Sequence, residues 1–401
     1  MRRVLFVDDE PKVLDGLRRM LHPMRAEWEM TFVRTGSEAL SRLAANPFDV
    51  VVTDIRMPEM DGGELLERIS RHYPGIVRIV LSGQADDEAS MRVVHVAHQC
   101  LAKPCDPAIL KRALNRSCAL RDIVADPAIQ GLLARINRLP SMPGVLVKLV
   151  HEIKSPQASF QKVAAIMTKD VGMTSKILQL VNSAFFGLRY KVTSLDQAVT
   201  LLGLKTVRSL AMSLQVFSQF DSFKVKEFSI DGIMNHSVAT ASFAKRIALA
   251  EGRKEDADEA FMAGLLHDTG RLILLDRMTE AYSKVLQSAR EKKIPLVQAE
   301  KDVLGVTHAE VGMYLLGLWG LPEATLETVA YHHRPEDCPQ QEFSCLTAVH
   351  VANAIDHEGN PNGPDPTAPR LSPAYLERVG LTERIPVWRK ACAINAHTEN
   401  D

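Results

Sequence analysis

The chain has 401 residues, 46% of them hydrophobic, which suggests two or three domains with cores of ordinary size. Its 48 basic and 49 acidic side chains leave a formal charge of -1, which argues against a global electrostatic grip on nucleic acid, and no DNA-binding output is expected. Six cysteines without a C-x-x-C pair fit reduced thiols, and no run approaches about 18 uncharged apolar residues, so a cytoplasmic protein with no membrane span is expected.

From residue 1 to about 120, short apolar runs alternate with helical patterns. Val4 to Val7 reads as a strand closed by Asp8 and Asp9, and Val13, Leu14, Leu17 and Leu21 share one helix face. Val50 to Val52 is a β-branched run that ends in Thr53-Asp54, after which Pro58 and Gly62 turn the chain. Leu65, Leu66 and Ile69 form another helix face, Val77 to Leu81 is a strand closed by Ser82, and a last strand precedes Lys103-Pro104. This βα repeat predicts five parallel strands covered on both sides, with the chemistry at the carboxyl edge of the sheet. An aspartate that ends one strand is by itself more often a turn residue. Here Asp8, Asp9, Asp54, Ser82 and Lys103 all fall at strand ends.

In this order these residues resemble the receiver domain of two-component response regulators, a flavodoxin-like doubly wound fold, over residues 1–120. The resemblance implies that Asp54 is phosphorylated, and that Asp9, Asp54 and the backbone carbonyl of Arg56 ligate Mg²⁺ while Asp8 helps through water. It also implies that Lys103 pairs with the phosphoryl oxygens and that Ser82 is the switch hydroxyl. A sensor histidine kinase is the implied partner. Receivers usually carry Tyr or Phe three residues before the lysine, and here that place is Cys100, so the aromatic side chain of the customary switch is absent.

Residues 121–138 continue a helical pattern, broken at Asp126-Pro127, and read as a helical linker. After Leu139-Pro140-Ser141-Met142-Pro143 the β pattern disappears and an all-α domain is expected over 139–356, with Asp170 and Ser194 as N-caps and Gly187 and Gly203 at element ends. Leu139 to Pro143, Asn182 to Gly187, and Ala198 to Gly203 together resemble the HDOD domain, a relative of the HD phosphohydrolases. Residues 357–401 read as a loop and a short helix near Pro373.

Six histidines lie between 236 and 350, among them His267-Asp268, and imidazoles with a carboxylate are the donors borderline metals prefer. His236 shares a helix face with Ile233, Phe243 and Ile247, and His267 shares one with Ala260, Ala263 and Gly264, small enough to admit another helix. A single histidine on an apolar face is more often a satisfied core residue than a ligand. Similarity to the HD and HD-GYP phosphohydrolases implies that His236, His267, Asp268, His308, His332 and His333 form a metal site for Zn²⁺, Mn²⁺ or Fe²⁺. Gly232 stands where that class has a glutamate, Arg271 replaces a lysine, and Asn353 stands in place of the closing aspartate.

Two functions follow. One is a phosphorylation-controlled response regulator whose helical domain is a signalling and protein-interaction output, acting on a downstream protein or as a homodimer. The other is a receiver-controlled metal-dependent phosphodiesterase acting on a cyclic dinucleotide. The departures at Gly232 and Asn353 fall on ligand positions and favour the first.

Overall fold

A computed structural model describes residues 2–73, 75–82, 97–103, 171–183, 192–218, 228–339, 342–359 and 371–393, with single positions at 105, 110, 111, 113, 114, 186, 188 and 220. The linker 121–138, the Leu139 to Pro143 block, Asp170, Gly187 and the loop ahead of Pro373 lie outside these residues, as do the side chains of Ser82 and Cys100. The chain divides into two compact units, taken here in turn.

The N-terminal unit is built on β1 (Arg2–Val7), α1 (Pro11–Leu21), β2 (Trp28–Val33), α2 (Gly36–Ala45), β3 (Val50–Asp54), α3 (Gly62–His72) and β4 (Val77–Ser82). Four strands of five or six residues form the body of the sheet, and the four-residue β5 (Gln99–Ala102) pairs with its edge, giving the order β2-β1-β3-β4-β5 with all pairs parallel. β1 and β3 are buried on both faces, which is why they read as unbroken apolar runs rather than alternating ones. The register Val7↔Thr53 brings Asp8 and Asp54 to one level at the carboxyl edge, where the strand order reverses between β1 and β3.

The β3–α3 turn is tight. Asp61 caps α3 by accepting from the Glu64 amide at 2.8 Å, the Gly62 amide donates to Ile55 at 2.8 Å, and Glu59 takes a left-handed φ of 66°. A Cβ on Gly62 would lie 2.0 Å from the Asp54 carbonyl oxygen, so only glycine fits the return of the chain beneath Asp54.

The C-terminal unit is helical throughout its described residues. Its elements are α4 (Val171–Val181), α5 (Leu195–Leu202), α6 (Leu204–Phe217), α7 (Ile230–Ala250), α8 (Lys254–Leu266), α9 (Thr269–Arg277), α10 (Thr279–Lys292), α11 (Leu296–Leu304), α12 (His308–Leu318), α13 (Glu323–Tyr331), α14 (Cys345–Gly359), α15 (Pro373–Arg378) and α16 (Ile385–Cys392). The long α7 is the hub, packed on α8, α14 and α16. Ala260, Ala263 and Gly264 do admit a helix closely: a Cβ on Gly264 would meet the Ala241 Cα of α7 at 2.7 Å. Ser194 caps α5 through the Gln197 amide, and Gly203 ends it at φ 84°. Asn182, at the end of α4, accepts from the Val192 amide at 2.7 Å and donates to the Leu178 and Val192 carbonyls. Among the described residues no helix is long and apolar enough to cross a membrane.

Two glycines of the first unit give a paired expectation. Gly62→Ala should destabilise it by roughly 1–3 kcal/mol through overpacking, whereas Gly16→Ala should stabilise it by about 0.5–1 kcal/mol, since nothing lies within 4 Å of its added Cβ inside α1. Urea midpoints of the two variants moving in the same direction would contradict this account.

Candidate functional sites

At the sheet edge Asp8, Asp9 and Asp54 each place a carboxylate oxygen within 4.8 Å of the others. Asp8 and Asp54 are buried, and the Lys103 ammonium donates to both, 2.7 Å from Asp8 Oδ2 and 2.7 Å from Asp54 Oδ1. Asp8 Oδ1 also accepts from the Glu10 amide at 3.0 Å, which turns its other oxygen toward Lys103. Arg56 lies two residues beyond Asp54 in the β3–α3 turn. The structure thus brings Asp8, Asp9, Asp54 and Lys103 together. Burial pushes the Asp54 carboxyl above its ordinary range, while Lys103 pulls it down. Burial also works against the Lys103 charge, but its bonds to Asp54 and Asp8 outweigh that and raise its pKa. Such hard oxygen donors around one small space suit Mg²⁺.

The second constellation joins α7, the α8–α9 junction, α12, the end of α13 and α14. His267 and His332 follow the last turns of α8 and α13, and each donates from Nδ1 to the carbonyl three residues back, Gly264 at 2.8 Å and Val329 at 2.9 Å. Those carbonyls have no helical partner, so the same bond satisfies a helix end and fixes an imidazole. His308 opens α12, with Nδ1 2.6 Å from Glu300, whose other oxygen accepts from Tyr282 at 2.7 Å. His236 on α7 has Nδ1 2.7 Å from Asp356. Four ring orientations are therefore set from outside, and the four Nε2 atoms turn inward.

Nε2 of His236 is 3.2 Å from that of His267, and His308 Nε2 is 3.4 Å from His332 Nε2 and 3.0 Å from His333 Nε2. Donors bound to one first-row ion at about 2.0–2.1 Å stand about 2.8–3.4 Å apart at octahedral to tetrahedral angles, so these spacings fit a metal. Asp268 joins the two groups: Oδ1 lies 3.2 Å from His308 and 3.8 Å from His332, and Oδ2 lies 3.6 Å from His267 and 3.8 Å from His236. Burial holds His267 down to about 4 and lowers His332 and His333 well below the usual range, which keeps those rings neutral and able to ligate. Burial opposes the charge of His308 too, as does Arg271, but the Glu300 carboxylate and the bonds to Glu300 and Asp268 together lift the ring to about 9. Burial pushes the Asp268 carboxyl up, but Arg271, His267 and His308 together outweigh it and hold the group well below the carboxylate range.

All six residues expected from sequence, His236, His267, Asp268, His308, His332 and His333, come together. His350 does not join them: its Nδ1 donates to the His332 carbonyl and its Nε2 accepts from the Ser372 amide. Sequence reasoning missed Glu300, Asp356 and His357. Asn353 does stand on α14, but an acid lies one turn further on, because Asp356 reaches His236 while His357 packs its ring 4.6 Å from that of His236. Helical spacing could have found Asp356, three residues past Asn353. Nothing local marks Glu300, which reaches His308 from α11.

Titration reports the first site directly. Lys103→Met should raise the Asp54 pKa further by removing what lowers it, as read by carboxyl NMR; a fall would overturn the assigned cause. Because a raised acid binds its proton more tightly when folded, Asp54 should make the N-terminal unit lose stability as pH rises from the ordinary aspartate value through its own. Lys103 contributes stability that is present below the ordinary lysine value and lost as pH rises through its raised one.

Comparison with known proteins matches the response regulator receiver domain to residues 4–115 and the HDOD domain to residues 139–335. An uncharacterized protein of Treponema pallidum (strain Nichols) is 26% identical over 249 residues, 60% of this chain and 47% of its own length, so the chain spans about half of that relative. An uncharacterized 14.6 kDa protein of Leptolyngbya boryana is 34% identical over 120 residues, 29% of this chain and 88% of its own. The solved HDOD domain protein of Geobacter sulfurreducens, of unknown function, superposes with a TM-score of 0.52 at 23% identity, over 66% of this chain and 95% of that one, a likeness of fold alone. With the two matches in this order, the chain belongs to the response regulators that carry an HDOD output domain behind an N-terminal receiver.

Proposed function

We propose that this chain is a phosphorylation-controlled response regulator of a two-component system, phosphorylated on Asp54 by a sensor histidine kinase in the cytoplasm. The observation that carries the reading is Lys103, held at 2.7 Å from both Asp8 and Asp54 at the carboxyl edge of a parallel sheet. An Asp54 carboxylate oxygen forms the new bond to phosphorus as the P–N bond of a phosphoimidazole donor breaks. The electron pair stays on the imidazole nitrogen, which takes a proton from water. Asp9, Asp54 and the Arg56 carbonyl would hold Mg²⁺, helped by Asp8, and the ion would supply charge neutralisation there. Lys103 then pairs with the phosphoryl oxygens, and Ser82 accepts the role of switch hydroxyl. The new charge reorganises the receiver, and the helical domain passes the change to a downstream protein or to a second copy.

At the histidine cluster the reading is one borderline ion, Zn²⁺, Mn²⁺ or Fe²⁺, that braces the output domain. What supports it is the set of four imidazoles whose Nδ1 atoms are tied outward and whose Nε2 atoms converge. The proposed organisation is a receiver over 1–120, a helical linker over 121–138, the output domain over 139–356 and a terminal segment over 357–401.

Incubation with acetyl phosphate and Mg²⁺ should label the parent and leave Asp54→Asn unlabelled; undiminished labelling of the variant would remove Asp54 from its role. Fragments ending near 120 and starting near 125 should each fold, since the sheet and the helices each enclose a hydrophobic cluster of their own. Two unfolded fragments by circular dichroism would place the boundary elsewhere.

A further inference from the structure

Two ions in the histidine cluster would need Asp268 to bridge, one oxygen to each, because its Oδ1 faces His308 and His332 while its Oδ2 faces His236 and His267. Oδ2 is already engaged. Arg271, one turn into α9 and 2% exposed, sets Nη1 3.0 Å from it, and the guanidinium rests over the Phe228 ring. A guanidinium does not give up its proton in a protein, so this charge is permanent. In a buried, weakly screening site a dication next to it on the His236 and His267 side meets both like-charge repulsion and a carboxylate oxygen already neutralised. Asp268 Oδ1 faces the other way, toward His308 and His332. Asp268, His308, His332 and His333 offer ligand atoms within 4.8 Å of one another, as do His236, His267 and Asp268, but the second group shares the oxygen that Arg271 holds.

We infer that Arg271 takes the place of a second metal ion, confining the cluster to a single ion on Asp268 Oδ1, His308, His332 and His333. This rests on the reading that the cluster binds metal at all. α9 is fixed for the purpose: Gly270 packs so close to α12 that a Cβ there would lie 1.9 Å from the His308 carbonyl oxygen, and this contact sets where Arg271 enters. His236 and His267 then serve as packed polar groups, tied outward to Asp356 and Gly264.

The test is a metal count on the full chain, stripped with chelator and reloaded with Zn²⁺ in excess Mg²⁺ to fill the receiver site. The parent should hold about one zinc, Arg271→Lys about one, and Arg271→Met about two, the second lost again on adding His267→Ala. In the parent, His333→Ala should remove the zinc and His267→Ala should leave it, which decides the question even if Arg271→Met does not fold. Two zincs in the parent, loss of the one zinc on His267→Ala, or a folded Arg271→Met that stays at one would overturn the inference. Absence of zinc from the parent and every variant would overturn the metal reading itself and this inference with it.

Discussion

A carboxylate taken out of water needs a cation beside it, and both units of this chain are arranged around that requirement. In the receiver the buried Asp8 and Asp54 share the Lys103 ammonium. In the helical unit the buried Asp268 holds Arg271. Removing one partner from a pair of this kind leaves an uncompensated buried charge and costs roughly 3–5 kcal/mol, so each cation is a structural necessity as well as a chemical one. The two cations differ in kind. Lysine is a compact point charge on a flexible stem, suited to follow a group that gains a phosphoryl, whereas the arginine fork is rigid and permanently charged.

The histidine cluster obeys the same rule, with burial holding His267, His332 and His333 neutral. A buried imidazole has two nitrogens to satisfy: a neutral ring whose Nδ1 donates outward presents a bare lone pair at Nε2, whereas His308, with its raised pKa, must give up its Nε2 proton to ligate. Helix ends do half of this work, since the carbonyls of Gly264 and Val329 lack helical partners and accept from His267 and His332. Carboxylates do the other half, Asp356 on His236 and Glu300 on His308. Such outer partners orient ligands and raise their basicity, so the site is organised well beyond the residues that would touch an ion.

The close helix contacts explain how this is possible in one small space. Gly264 lets α8 lie against Ala241 of α7, and Gly270 lets α9 lie against the start of α12 at His308. These two glycines set the distances between His236, His267, Asp268 and His308, which come from three separate stretches of chain. Asn182 joins the end of α4 to both backbone groups of Val192 through its amide, which gives a physical reason for an asparagine at that place.

Most of the receiver was legible in the sequence, because its strands are unbroken β-branched runs and its acids follow directly on strand ends; backbone periodicity alone carries Asp8, Asp54 and Lys103 to one edge. The six metal-type residues of the helical unit were legible as types and as a group. The sequence also showed that Asn353 is not an acid. It did not show that Asp356, one turn further, supplies one, nor that His350 spends both nitrogens on backbone atoms, because those facts depend on how α14 is rotated against α7 and α15. Glu300 and the direction of Arg271 were out of reach for the same reason: helical spacing says which residues share a face, while only the packing of one helix on another decides which faces meet.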